Sequence, residues 1–189
     1  FARLGFDMTA YDVSAAMLAK AEQLCAAEGV FPHYVLWDAR KIATLGGRAD
    51  FALCVNDCVN YLPQRDIPRF FARVAGCLKK GGAFLFVLSS AYKLREIVGS
   101  NAFCEDREEV AYLWFNTLKS DRVEMDFTLF IQEKDGRFRR EDERHVQYIH
   151  AESDLRSAAE RAGFSVRAVE GSFGDKEDKT RRNFLCVRL

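Results

Sequence analysis

Gly5 to Met17 reads GFDMTAYDVSAAM, and the interpretation of this stretch decides the fold. Thr9, Ala10 and Tyr11 suit a short strand, and Asp12 closes it. Ser14 is a good N-cap, and Ala15 to Glu28 supplies helix formers throughout. A strand that ends in a carboxylate and turns at once into a helix is a unit of an open parallel sheet. Ligands of such sheets lie off the carboxyl ends of the strands. A carboxylate there can accept both hydroxyls of a ribose, each hydrogen bond to a charged acceptor being worth about 1.5–3 kcal/mol. Asp12 is therefore a candidate nucleoside contact, or simply the residue that opens a turn.

The chain that follows repeats the unit. Gly29 ends the helix, Phe31 to Trp37 forms a second strand, and this strand too ends in an acid, Asp38. Gly46-Gly47 marks a loop. Phe51 to Val55 is a continuous apolar run, the pattern of a parallel strand buried on both faces, and it ends at Asn56-Asp57. Pro63 opens a helix through Leu78, with Ile67, Phe70, Phe71, Val74 and Leu78 on one face. Lys80-Gly81-Gly82 reads as its stop, and Ala83 to Leu88 as a further apolar strand ending at Ser89-Ser90. Alternation of strand and helix predicts an α/β fold with a right-handed, doubly wound sheet.

Beyond Ser90 the pattern changes. Tyr92 to Val98 suits a short helix, and Glu109 to His150 alternates at period two. Strands are predicted at 111–115, at 122–133 and at 138–149, the last two joined at the turn signal Asp135-Gly136. This is an antiparallel ribbon of about three strands, and it carries Tyr112, Trp114, Phe127, His145 and Tyr148. The α/β pattern resumes with a helix capped by Ser153 and running to Ala162. Strands at 165–169 and 183–189 follow as antiparallel neighbours, separated by a charged, solvated hairpin end from Asp175 to Arg182. The expected organisation is a core of residues 1–90 and 151–189, with residues 91–150 inserted as a lid.

Composition narrows the partners. Lys plus Arg and Asp plus Glu both number 28, so no net positive field draws the chain to nucleic acid or a membrane surface. No apolar run approaches the ~20 residues of a membrane span, and no signal peptide is visible. The six cysteines are scattered, and Cys54 and Cys58 lack the further ligands of a metal site. Buried, reduced thiols in a cytoplasmic protein are expected. The chain opens at Phe1, and Phe1-Ala-Arg-Leu reads as the tail of a helix stopped by Gly5, which predicts further chain upstream.

The layout resembles the class I S-adenosylmethionine-dependent methyltransferases. YDVSAAMLAKAEQ is similar to the acid of that family's second strand and the helix after it, and VLWDARKI to the acid after its third strand. ADFALCVNDCVNYLPQRDIPRFFARVAGCLKKGGAFLFVL resembles its fourth strand, following helix and fifth strand. GFSV and NFLCVRL resemble the strands that carry its reversed end. The resemblance covers residues 1 to about 90 and 151 to 189, and within the family it leans towards small-molecule enzymes with an insertion after the fifth strand. Lys80 stands where proline is frequent, and the family's glycine-rich loop is not in this sequence.

The resemblance implies a cofactor, S-adenosyl-L-methionine, and a set of residues to hold it. Asp12 would take the ribose hydroxyls, Val13 and Met17 the adenine face, and Asp38 the adenine amino group, with the Ala39 backbone donating to the ring. Asn56, Asp57 and Tyr61 would follow on the same rim. Helix capping is the alternative for Asp57, and plain packing for Met17. Methyl transfer needs a base only where the acceptor must lose a proton, and His145, Tyr148, Tyr112 and Asp57 are the candidates. Tyr112 and Trp114 could face the acceptor or shelter a cation. The expected partner is a small-molecule acceptor, with a homodimer through the ribbon possible. An NAD(P)-dependent oxidoreductase and a non-catalytic module dimerising through the ribbon remain as alternatives.

Overall fold

The computed structural model describes residues 1–39, 49–171 and 178–189. The Gly46-Gly47 loop and the first part of the charged stretch lie outside these residues. The chain divides into two compact units, Phe1–Thr44 and Leu45–Leu189.

In the first unit a single 3-10 turn, Ala2–Leu4, is stopped by Gly5. Strand β1 (Thr9–Asp12) pairs in parallel with β2 (His33–Leu36), with Asp12 opposite Leu36. Helix α1 (Ala15–Ala27) crosses between them, and the Ser14 hydroxyl caps it by accepting from the Met17 N–H at 3.2 Å. The parallel register puts the carboxyl ends of both strands on one edge.

In the second unit a mixed sheet runs in the order β3 (Ala49–Cys54), β4 (Leu78–Ser89), β10 (Arg181–Arg188), β9 (Phe164–Glu170). Strands β3 and β4 are parallel, whereas β10 is antiparallel to both of its neighbours. Phe70, Phe71, Phe84, Phe86, Phe164 and Phe184 are all fully buried. The Phe86 and Phe184 rings stack at 4.5 Å, because the register pairs them directly across β4 and β10. Helix α2 (Ile67–Cys77) supplies Phe70 and Phe71 from its apolar face and packs on α3 (Glu152–Arg161).

Some expectations change. Lys80-Gly81-Gly82 does not stop a helix, since α2 has ended at Cys77 and β4 begins at Leu78. Gly82 lies where the register of β3 and β4 shifts, and a Cβ there would stand 2.8 Å from the Lys79 carbonyl oxygen. Helix α3 starts at Glu152 with Ala151 as its cap, not Ser153, and no side chain caps it. Arg181 and Arg182 belong to β10 rather than to a solvated loop. The cysteines are all thiols, but only Cys77 and Cys186 are buried, and Cys104 is exposed.

The antiparallel part has four strands, not three, in the order β5 (Ala102–Asp106), β6 (Val110–Leu118), β7 (Arg122–Gln132), β8 (Phe138–Tyr148). Strand β5 is short, and its apolar residues are too few for its alternation to stand out in the sequence. Gly136 turns β7 into β8 at a φ of 84°, which the missing Cβ permits. Between β4 and β5, Lys93–Val98 forms a widened helical turn in which Gly99 N–H reaches back to the Leu94 carbonyl. Its Leu94 and Val98 pack with Val123 and Met125 of β7 in a second small core.

Candidate active site

The carboxyl edge of the first unit carries the acids that the sequence singles out. Asp12 ends β1, and its Oδ1 accepts from the Ser14 N–H at 2.8 Å. That bond shapes the turn into α1 and leaves Oδ2 without a hydrogen-bond partner among the described residues. The Asp12 carbonyl accepts from Trp37 N–H at 2.9 Å, which ties the segment before Asp38 to the end of β1. Asp38 and Ala39 follow on this edge, both partly covered. Val13 and Met17 are 72% and 61% exposed, so neither is used as core packing in this unit. Two acids and two exposed apolar side chains at adjoining strand ends form a set that suits a nucleoside: carboxylates to accept from hydroxyl and amino groups, apolar faces for a ring.

A polar cluster sits at the carboxyl edge of the second unit. Asn56 and Asp57 follow β3 and both adopt the left-handed conformation, with φ of 55° and 59°. Asn and Asp tolerate this region better than other side chains, and such residues gather where the surroundings over-determine the backbone. Asp57 is buried and does not cap the turn after it. Its Oδ1 accepts from Arg181 Nη1 at 2.9 Å, and its Oδ2 from the Ser89 hydroxyl at 3.0 Å. The reversed direction of β10 explains the meeting: the start of that strand, Arg181, pairs with Ser89 at the end of β4. Four residues further on, the Lys93 ammonium donates to Ser89 Oγ at 3.1 Å. Burial lowers the Lys93 pKa, Asp57 works against that shift, and Arg181 adds to it.

Asn60 joins this edge to the antiparallel sheet. Its side chain is fully buried, donates to the carbonyls of Ser89 and Tyr148 at 3.1 Å each, and accepts from Ser89 N–H at 2.9 Å. At the tip of β3, Cys54 and Cys58 lie thiol to thiol, and this hydrogen bond together with burial pushes the Cys54 thiol up.

A cavity of about 190 Å³ opens beside the cluster. It is lined by Asp57, Tyr61 and Lys93, by Leu94, Val98 and Met125, and by Trp114, Phe127, His145 and Gln147. Trp114 and Phe127 stack across β6 and β7 at 5.0 Å. His145 meets the edge of Phe127 at 5.5 Å. Its Nε2 lies 3.1 Å from Glu143 Oε2 and its Nδ1 lies 3.4 Å from the Tyr61 hydroxyl. A neutral ring that donates to Glu143 keeps Nδ1 as an acceptor. The structure thus brings Asp57, Tyr61, Trp114 and His145 to one cavity.

Tyr148 and Tyr112 are placed elsewhere. Tyr148 lies three positions after His145, so the alternation of β8 turns it to the opposite face. There it lines a separate cavity of about 380 Å³ with Gln64, Arg95 and His150. Tyr112 pairs across from Glu105 on β5, and partial burial and that carboxylate raise its pKa. Sequence reasoning missed Lys93, Asn60, Ser89 and Arg181. Asn60 had one available signal, a polar residue inside the otherwise apolar Val59–Leu62 turn.

Residues 1–82 match the family model described as a methyltransferase domain. A curated protein of Geobacillus sp. (strain WCH70), named "Putative methyltransferase GWCH70_2453", is 30% identical over 181 residues, covering 93% of this chain and 72% of that protein. The crystal structure of an S-adenosylmethionine-dependent methyltransferase from Clostridium acetobutylicum ATCC 824 superposes with a TM-score of 0.90 at 27% identity, over 97% of this chain and 75% of that one. CalS10 of Micromonospora echinaspora, described as an amino pentose methyltransferase, shares the fold with a TM-score of 0.73 at 21% identity, over 97% and 74%. The first unit thus carries acids at the ends of parallel strands, and the second a sheet with a reversed last strand. The chain belongs to the class I S-adenosylmethionine-dependent methyltransferases, which settles enzyme class and cofactor and sets the oxidoreductase reading aside. No helix among the described residues is long and apolar enough to cross a membrane.

Proposed function

We propose that the protein methylates a nitrogen or oxygen of a small-molecule acceptor, and that the cavity beside His145 receives it. The observation that carries this is the size and lining of the cavity: about 190 Å³ walled by Trp114, Phe127, Tyr61 and His145. Pockets for drug-sized ligands run to roughly 300–1,000 Å³, so the occupant is smaller. The likeness in fold to an amino pentose methyltransferase supports an acceptor of this scale.

When bound, S-adenosylmethionine supplies an electrophilic methyl group on a sulfonium sulfur. Asp12 would take the ribose hydroxyls and Asp38 the adenine amino group, with Ala39 N–H donating to the ring and Val13 and Met17 against its face. The chain's main task is alignment and exclusion of water, which can supply several kcal/mol of the barrier. His145, held by Glu143, accepts the proton of the acceptor's N–H or O–H at Nδ1, directly or through the Tyr61 hydroxyl. Asp57, held by Arg181 and Ser89, fixes the rim and does not act as a base. Tyr148 and Tyr112 lie away from this cavity and take no part in the step.

Calorimetry on the full-length protein with S-adenosylhomocysteine and with NADH tests the cofactor site, and transfer of labelled methyl into metabolite and protein fractions tests the acceptor. Label confined to protein would overturn the small-molecule reading.

A further inference from the structure

We infer that Gln147 selects the acceptor: its carboxamide, inside the cavity, exchanges hydrogen bonds with a neutral hydroxyl carried beside the atom that is methylated. This rests on the reading of the cavity as the acceptor site and goes further by naming a group the acceptor must carry and the residue that reads it.

The other polar side chains of the lining are engaged within the protein. Asp57 accepts from Arg181 and from Ser89, and Lys93 donates to Ser89 while the charges of Asp57 and Asp178 act on it. His145 lies between Glu143 and the Tyr61 hydroxyl. Gln147 is different. It is 8% exposed, and its carboxamide meets no hydrogen-bond partner among the described residues. The amide is not sealed in as the Trp114 indole N–H is, and the residue lines the cavity. Such an amide, buried yet open on a cavity, is satisfied by what enters. An occupant that displaces water from it must replace both a donated and an accepted hydrogen bond.

Charge and spacing define the occupant. Asp57 and Lys93 have counter-charges within the protein, so the partner that suits the amide is a neutral group that both donates and accepts. A hydroxyl is such a group, and it is small enough for a cavity of about 190 Å³. Gln147 and His145 are two residues apart on one face of β8, so their Cβ atoms lie roughly 6.5 Å apart. They read neighbouring atoms of one small molecule, not its two ends. His145 is half-buried and Gln147 buried, so the hydroxyl enters deeper and the reacting N–H or O–H stays beside Nδ1. Val123, opposite Gln147 in the ladder, and Met125, opposite His145, are apolar and offer the hydroxyl no competing partner.

The test uses the full-length protein saturated with S-adenosylhomocysteine, titrated with trans-cyclohexane-1,2-diol and with cyclohexanol and followed by nuclear magnetic resonance. The diol is expected to bind about tenfold or more tightly than cyclohexanol, which lacks the second hydroxyl. Gln147→Leu is expected to abolish that preference and leave cyclohexanol unchanged. It is also expected to leave the melting temperature of the ligand-free protein unchanged or higher, because an unpartnered amide is lost. Equal binding of the two alcohols, no binding of either, a preference that survives Gln147→Leu, or a lower melting temperature for this variant would overturn the inference. S-adenosylhomocysteine affinity, measured on the variant, reports that it is folded. If labelled methyl still passes into the metabolite fraction after such a result, the role of Gln147 falls and the small-molecule reading stands.

Discussion

Arg181 Nη1 donates to Asp57 Oδ1 at 2.9 Å across 124 positions of sequence. The pair closes the carboxyl edge of the second unit, where β3, β4 and β10 end or begin. Removing one partner leaves the other without its counter-charge. Arg181→Met is expected to lower unfolding free energy by about 1–3 kcal/mol, less than for a fully buried pair because the Arg181 side chain is 36% exposed. In the double variant with Asp57→Asn the loss is expected to be smaller than the sum of the single losses. Urea denaturation of the four proteins measures it, and strict additivity would contradict the coupling.

The Asp12 carboxylate has two separable jobs. Oδ1 holds the Ser14 N–H and thereby shapes the start of α1. Oδ2 is the atom assigned to ribose. Asp12→Asn keeps an acceptor for Ser14 and removes the charge. Affinity for S-adenosylhomocysteine is expected to fall by about 10- to 100-fold, from the worth of hydrogen bonds to a charged acceptor. The melting temperature without ligand is expected to move little. Unchanged affinity would remove Asp12 from the cofactor site.

Asn60 satisfies two carbonyls and one N–H in a fully buried position. Asn60→Ala leaves those groups dry and unpaired, at a cost on the order of 3 kcal/mol. Because one of them is the Tyr148 carbonyl, hydrogen exchange is expected to accelerate near the end of β8 as well as at Ser89. Faster exchange confined to Ser89 would mean that Asn60 does not tie the two sheets.

His150 is buried, with Nδ1 2.8 Å from Gln64 Oε1 and Nε2 3.2 Å from the Val59 carbonyl. Burial holds its pKa below the ordinary 6.5, against the pull of the Val59 and Leu62 backbone and of Asp154. Between the folded value and about 6.5 the unfolded chain therefore binds more protons, so stability rises with pH across that window. Its contribution is complete above about 6.5 and is lost as pH falls towards the folded value. His150→Gln is expected to show a smaller loss of unfolding free energy between pH 7.5 and 5.5 than the unchanged protein. Equal losses would show that His150 does not titrate in this way.

The sequence by itself determined the elements and their class. Apolar runs at Phe51–Val55 and Ala83–Leu88 read as strands, and Ser14 followed by helix formers reads as a helix start; the burial on both faces expected of the first run is not found, since Leu53 and Val55 are 37% and 47% exposed. Asp12 and Asp38 were legible because strand ends are local features. The period-two pattern likewise revealed β6, β7 and β8, while β5 escaped because five residues carry too little alternation. Tertiary structure alone decided which side chains converge. Arg181 reaches Asp57 only because β10 runs backwards beside β4, and Lys93 and Trp114 line one cavity only because a widened helical turn lies on the antiparallel sheet. His145 and Tyr148 look equivalent in sequence, yet the alternation of β8 sends them to different cavities. Local propensity acts within a few residues, whereas register and strand direction are set by burying the whole apolar surface at once.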